Sequence, residues 1–208
     1  MPSPDKRQLI MQAAEKLFAA RRFHEITTDD IAHVARVGKG TIYRYFRDKD
    51  DLFFQTAMSG FDELCELVGR KPDGDGGFTK ELLRACRQIS RFFERRRQLL
   101  RMMQGEDGLA LWGRPDIRQR WRAHRGRLVG AVAAILAHGA AGGHVRKAVP
   151  PETLAHLLLG MLRTRARDMA DLPERARSLE TIVDVFCTGA MSPDGSARRR
   201  HELTGVET

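Results

Sequence analysis

The chain has 208 residues, 42% of them hydrophobic and 30% charged, a balance too apolar for a disordered polymer and ordinary for a folded globular protein. Its formal net charge of +9 favours polyanionic partners, because basic side chains displace condensed counterions from phosphates; nucleic acid and anionic membrane surfaces both qualify. The three cysteines, Cys65, Cys86 and Cys187, are odd in number, far apart and without C-x-x-C spacing, which argues against a disulfide framework or a thiolate zinc site and fits a reducing cytoplasm.

Arginine supplies most of the positive charge and is spread along the chain, so charge alone is equally compatible with a solvated surface. The opening MPSPDKRQ has no apolar stretch of the signal-peptide kind behind it. The longest apolar run, about ten residues from Leu128 to Ala137, is far short of the ~20 needed to span a bilayer. The expectation is a cytoplasmic protein with no membrane partner.

From Lys6 to Phe23 the apolar residues Leu9, Ile10, Ala13, Ala14, Leu17 and Phe18 recur three and four apart, the stripe of an amphipathic helix. Thr27 with Asp30 three residues on predicts a capping box, and a second short helix runs from there to about Ala35. A third follows over about Lys39 to Phe46. Asp48 with Asp51 then marks a fourth, carrying Leu52, Phe53, Ala57, Phe61, Leu64 and Leu67 as one continuous helix to residue 69. It ends before Lys71-Pro72-Asp73-Gly74-Asp75-Gly76-Gly77, a run of turn formers.

Helical patterns resume over Phe78–Arg96, Gln98–Met103, Pro115–His138, Pro151–Met169 and Pro173–Thr188, with no strand-like alternation in competition. The tail from residue 192 to 208 lacks apolar period and reads as disordered. The fold class is therefore all-α: an N-terminal helix-turn-helix domain over 1–47, joined by a linking helix, 48–69, to a larger helical domain over 48–191.

Between Ile31 and Tyr45 the spacing suits a helix-turn-helix, with Ile31, Ala35, Val37, Ile42 and Tyr45 expected to bury a shared minicore and Ala32 small at the helix crossing. Such a unit presents the N-terminal half of its second helix to the major groove, while neighbouring groups fix register on phosphates. Lys39, Gly40, Thr41, Tyr43 and Arg44 occupy that half and its exposed side. Their chemistry fits: Arg and Lys donate to guanine edges, Thr can bond or touch a thymine methyl, and Gly lets the backbone come close. Lys49 starts the next helix and is placed for a phosphate.

The stretch TTDDIAHVARVGKGTIYRYFRDKDDLF, with AAEKLFAARRFHEI ahead of it, resembles the DNA-binding signature of the TetR/AcrR family of one-component regulators. The resemblance covers Arg7 to Phe54. It implies base-edge roles for Lys39, Gly40, Thr41 and Tyr43, and phosphate roles for Thr28, Tyr45 and Lys49; Arg44 is added as a base reader on its own chemistry. Two departures stand out. Arg36 occupies the turn where the family usually has Gly, so a non-Gly residue at positive φ is expected there at a cost of about 1 kcal/mol. Gly38 stands where the family usually has a Ser cap.

In such regulators the C-terminal helices enclose a small molecule and pair with a second subunit. Leu154, Leu157, Leu158, Met161 and Leu162 on one helix, with Leu179, Ile182, Val183 and Phe186 on the last, have wide apolar faces. Two such helices per subunit predict a homodimer through a four-helix bundle. Phe92, Phe93, Met102, Met103, Trp112 and Trp121 gather on the middle helices, and Met with aromatic side chains suits an adaptable site for a small apolar or amphipathic effector.

None of the seven histidines forms an H-x-x-x-H pair or sits near a cysteine at metal spacing, so neither metal nor cofactor is expected. Glu106-Asp107 lie in a glycine-flanked loop with no nucleophile or base to complete a catalytic constellation. The expected function is a ligand-responsive, non-enzymatic repressor bound to a palindromic double-stranded operator, with a ligand-independent or architectural DNA binder as the alternative.

Overall fold

The computed structural model describes residues 5–70, 77–97, 99, 113–169 and 171–188. Every described element is helical and no strand occurs among the described residues. In chain order the helices are α1 (Lys6–Ala20), α2 (Thr28–Ala35), α3 (Lys39–Tyr45), α4 (Lys49–Ala57), α5 (Phe61–Gly69), α6 (Gly77–Arg95), α7 (Pro115–Ala141), α8 (Pro151–Arg167) and α9 (Leu179–Thr188), with 3-10 turns at Phe23–Glu25 and Glu174–Arg177. Apart from Leu99, the helix expected over 98–103 lies outside the described residues, as does the tail 192–208.

By internal contacts the chain divides into two compact units, Met1–Glu66 with Arg91–Leu128, and Leu67–Ser90 with Val129–Thr208. In the first, α1 packs on α2 and α4 because its stripe of Ile10, Ala13, Ala14 and Phe18 is fully apolar and buried. Phe18 meets Phe53 edge to face at 4.9 Å, and Phe23 closes the same cluster at 5.1 Å from Phe53. Phe23 is not part of α1 as the spacing suggested; α1 stops at Ala20, and Phe23 opens the 3-10 turn that follows.

The helix expected over 48–69 is two helices. Met58 N–H turns back to the carbonyls of Phe54 and Thr56, and Gly60 adopts φ +73°, a left-handed conformation glycine takes without strain. The apolar period runs through this break because Phe61 and Leu64 stay buried after it, which is why spacing alone reads one helix.

In the second unit, Arg84 of α6 donates to the carbonyls of Leu67 at 2.9 Å and Arg70 at 2.7 Å, satisfying groups that the end of α5 leaves without intrahelical partners. Phe78 stacks on His144 at 5.8 Å and fills the space at Gly139, where a Cβ would lie 2.4 Å from its ring. Leu158, Leu162, Ile182 and Val183 are buried where α8 and α9 pack together, while Leu157, Leu172 and Val185 remain exposed. The last helix is split: Ser178 is extended, its Oγ accepts from Thr181 N–H at 3.0 Å, and α9 restarts there.

Candidate nucleic-acid interface

The helix-turn-helix is built by its caps. Thr27 Oγ1 accepts from Asp30 N–H at 3.1 Å and Thr27 N–H donates back to Asp30 Oδ2 at 2.8 Å, the reciprocal box expected from the sequence; a threonine cap of this kind contributes about 1 kcal/mol. These bonds from the Thr27 N–H and hydroxyl hold the Asp30 carboxyl below its usual pKa. At the other end α2 terminates on Arg36 at φ 54°, ψ 45°, the one non-glycine residue at positive φ among the described residues. The Arg36 and Val37 amides then turn back to the His33 and Ala32 carbonyls.

Ile31, Ala32, Ala35 and Ile42 are buried as expected, and Val37 partly so. Tyr45 is not in the minicore: it is 38% exposed, and Phe46 is buried in its place. The physical reason is the end of α3 at Tyr45. Phe46 is extended at the C-cap, which swings it inward beneath the Arg7 guanidinium.

The expected reading residues gather on one short element. Lys39, Gly40, Tyr43, Arg44 and Tyr45 are exposed and Thr41 half-buried. A Cβ on Gly40 would meet nothing within 4 Å, so packing within the protein does not require glycine there. Gly38 caps α3 in extended conformation with no side-chain bond. Lys39 Nζ donates to Asp29 Oδ2 at 2.8 Å, and that bond, then the carboxylate's charge, raises the lysine pKa. Thr28 Oγ1 and Tyr43 Oη share a 3.3 Å bond.

Lys49 has partners within the protein that its spacing did not announce. Its ammonium donates to the carbonyls of Phe23 and Ile26, each at 2.8 Å, and sits over the Phe23 ring. It ties α4 to the segment ahead of α2 through two of its three donors. The sequence held no signal for this, since the acceptors are backbone atoms.

Beside α3 lies an ionic cluster that spacing could not reveal. Asp48 caps α4 by accepting from Asp51 N–H at 2.8 Å. Arg114 donates to Asp48 at 2.8 Å and Asp50 at 3.3 Å, Arg47 bonds Asp116, and Arg120 donates to Asp51 at 2.7 Å. Asp51 is 3% exposed. Burial works to raise its pKa, but bonds from Arg120, Gln55 and the Arg47 N–H outweigh that and hold it below the usual carboxylate range. Asp116, bonded first by Arg47 and also by Arg114, is lowered to about 2.

The residues expected around an effector are only partly described. Met102, Met103 and Trp112 lie outside the described residues. Phe92 is buried against Phe61 and Phe93, with the Arg96 guanidinium over its ring, and so is a core residue of the first unit; Phe93 and Trp121 are half-buried. Among the described residues no three His, Cys, Asp or Glu side chains are grouped to hold a metal, and no helix is long and apolar enough to cross a membrane.

The family of bacterial regulatory proteins named tetR matches residues 10–56, which span all of α2, α3 and the capping contacts above. The chain is 34% identical over 85 residues to the HTH-type transcriptional regulator HbdR of Aromatoleum sp., an overlap of 41% of this chain and 36% of that protein. It thus spans little more than a third of that relative's length. It is 23% identical over 192 residues to the HTH-type transcriptional repressor AcnR of Corynebacterium efficiens, covering 91% of this chain and 95% of the repressor. Among solved structures, the transcriptional regulator FadR of Bacillus subtilis in complex with stearoyl-CoA superposes with a TM-score of 0.70 at 15% identity, covering 88% of this chain and 99% of that one. At that identity the likeness speaks to the fold.

Proposed function

Since the chain belongs to the TetR family of bacterial regulatory proteins, we propose that it is a sequence-specific transcriptional repressor that binds a palindromic double-stranded operator as a homodimer in the cytoplasm. The observation that carries this reading is α3 itself: a seven-residue helix whose exposed surface is Lys39, Gly40, Tyr43, Arg44 and Tyr45, packed on a capped α2 with Ile31 and Ile42 both buried. Lys39, Gly40, Thr41, Tyr43 and Arg44 read base edges, and Thr28, Tyr45 and Lys49 contact phosphates, Lys49 while also holding the loop carbonyls of Phe23 and Ile26.

A single helix-turn-helix covers one half-site, so two copies with reading helices about 34–36 Å apart meet successive major grooves. The exposed Leu157 and Val185 on α8 and α9 support pairing through those helices. A small apolar or amphipathic effector that prefers another spacing lowers operator affinity, and by linkage the operator lowers effector affinity by the same factor. Because the FadR relative in fold is bound to stearoyl-CoA, a long-chain acyl-CoA is the first effector to try. Selection from random duplexes tests the function: an enriched palindrome supports it, and no enrichment counts against it.

A further inference from the structure

Asp29 and Lys39 form an ion pair that fold stability does not explain. The Lys39 Nζ lies 2.8 Å from Asp29 Oδ2, yet the two side chains are 50% and 64% exposed, a setting in which such pairs contribute little to stability. One helical turn on, Tyr43 lies on the same face of α3 as Lys39 and shares its hydroxyl bond with Thr28. The outer face of the reading helix is therefore fastened at two points to the first residues of α2.

A carboxylate on a surface that meets phosphates weakens non-specific attraction, so its presence calls for a second role. The ammonium of lysine carries three donors, and the Asp29 bond fixes the direction of one. In the major groove guanine offers the acceptors N7 and O6, whereas adenine sets a donor beside its N7. An ammonium anchored by a carboxylate on its protein side presents donors only, in a fixed direction, and so prefers guanine; an unanchored one follows the nearest phosphate.

We propose that Asp29 is a positioning residue that sets base specificity, holding Lys39 on a guanine of the operator half-site. This rests on the reading of the chain as an operator-binding regulator. The test takes the operator selected by the wild-type protein and measures affinity for every single-base change in the half-site, for wild type, Asp29→Ala, Asp29→Glu and Lys39→Ala. Lys39→Ala locates the position it reads, where wild type favours guanine by roughly tenfold. Asp29→Ala is expected to flatten that one position, keep the preference at all others, and bind unrelated duplexes more tightly because an acid has been removed. Asp29→Glu restores part of the guanine preference.

An Asp29→Ala profile identical to wild type overturns the proposal, as does an equal weakening at every position, which marks a merely structural contact. If the wild type enriches no operator, the regulator reading itself has failed; if it does and only Asp29→Ala is silent, this inference alone falls.

Discussion

The Lys49 ammonium lies 4.2 Å from the centre of the Phe23 ring and donates to that residue's carbonyl at 2.8 Å, so Phe23 holds the first residue of α4 by its face and its backbone together. Lys49→Met keeps the apolar stem but leaves the Phe23 and Ile26 carbonyls without this donor. The expected loss is about 1–3 kcal/mol, read as a lower urea midpoint at unchanged m-value. A variant as stable as wild type would contradict that anchoring, and a loss of about 0.9 from the logarithmic salt slope of operator affinity is the sign of a phosphate contact by Lys49.

Arg36 at φ 54° stores strain where glycine fits freely. Arg36→Gly should raise unfolding free energy by roughly 0.5–1 kcal/mol, the relief being partly offset by the greater entropy of the unfolded chain. Urea titration measures this directly, and a destabilised variant would contradict it.

Gly40 sits in a helix with nothing near its missing Cβ. Gly40→Ala is expected to stabilise the fold by up to about 1 kcal/mol through helix propensity while weakening operator binding, because the added methyl stands where the proposed base-reading role brings the backbone close to DNA. Stability and affinity moving in opposite directions is the diagnostic; both rising together would remove Gly40 from the interface.

Asp51 provides a pH signature. Its folded pKa is depressed, so the folded state binds the proton less readily than the unfolded one. The carboxylate's stabilisation is complete above its ordinary value of 3.8 and is lost as pH falls through the lower folded value. Asp51→Asn should cost about 3 kcal/mol at neutral pH, below the upper range for buried pairs because Arg120 is 35% exposed. It should also flatten the fall in melting temperature below pH 4; an unchanged acid limb would assign that limb to other carboxylates.

What the sequence made legible follows from local chemistry. Thr27 with Asp30, Asp48 with Asp51, and the stripe Ile10, Ala13, Ala14 and Phe18 are read from spacing because capping and amphipathicity act within a turn or two of helix. The break at Met58–Gly60 stayed hidden because apolar period survives on both sides of it. The anchoring of Lys49 depends on backbone carbonyls, and the Arg47, Arg114 and Arg120 cluster joins residues more than sixty positions apart; neither leaves a mark in residue spacing. The Asp29–Lys39 pair crosses the turn between α2 and α3 and is recognisable only once that turn is built.

The measurement that bears most directly on the central claim is selection from random duplexes at two salt concentrations, with wild type beside Thr41→Ala. An enriched palindrome, salt-dependent affinity, and a preference lost at one position in each half-site for Thr41→Ala are the expected results. If no sequence is enriched and Thr41→Ala behaves as wild type, α3 does not read DNA and the basic charge of the chain is only a solvated surface.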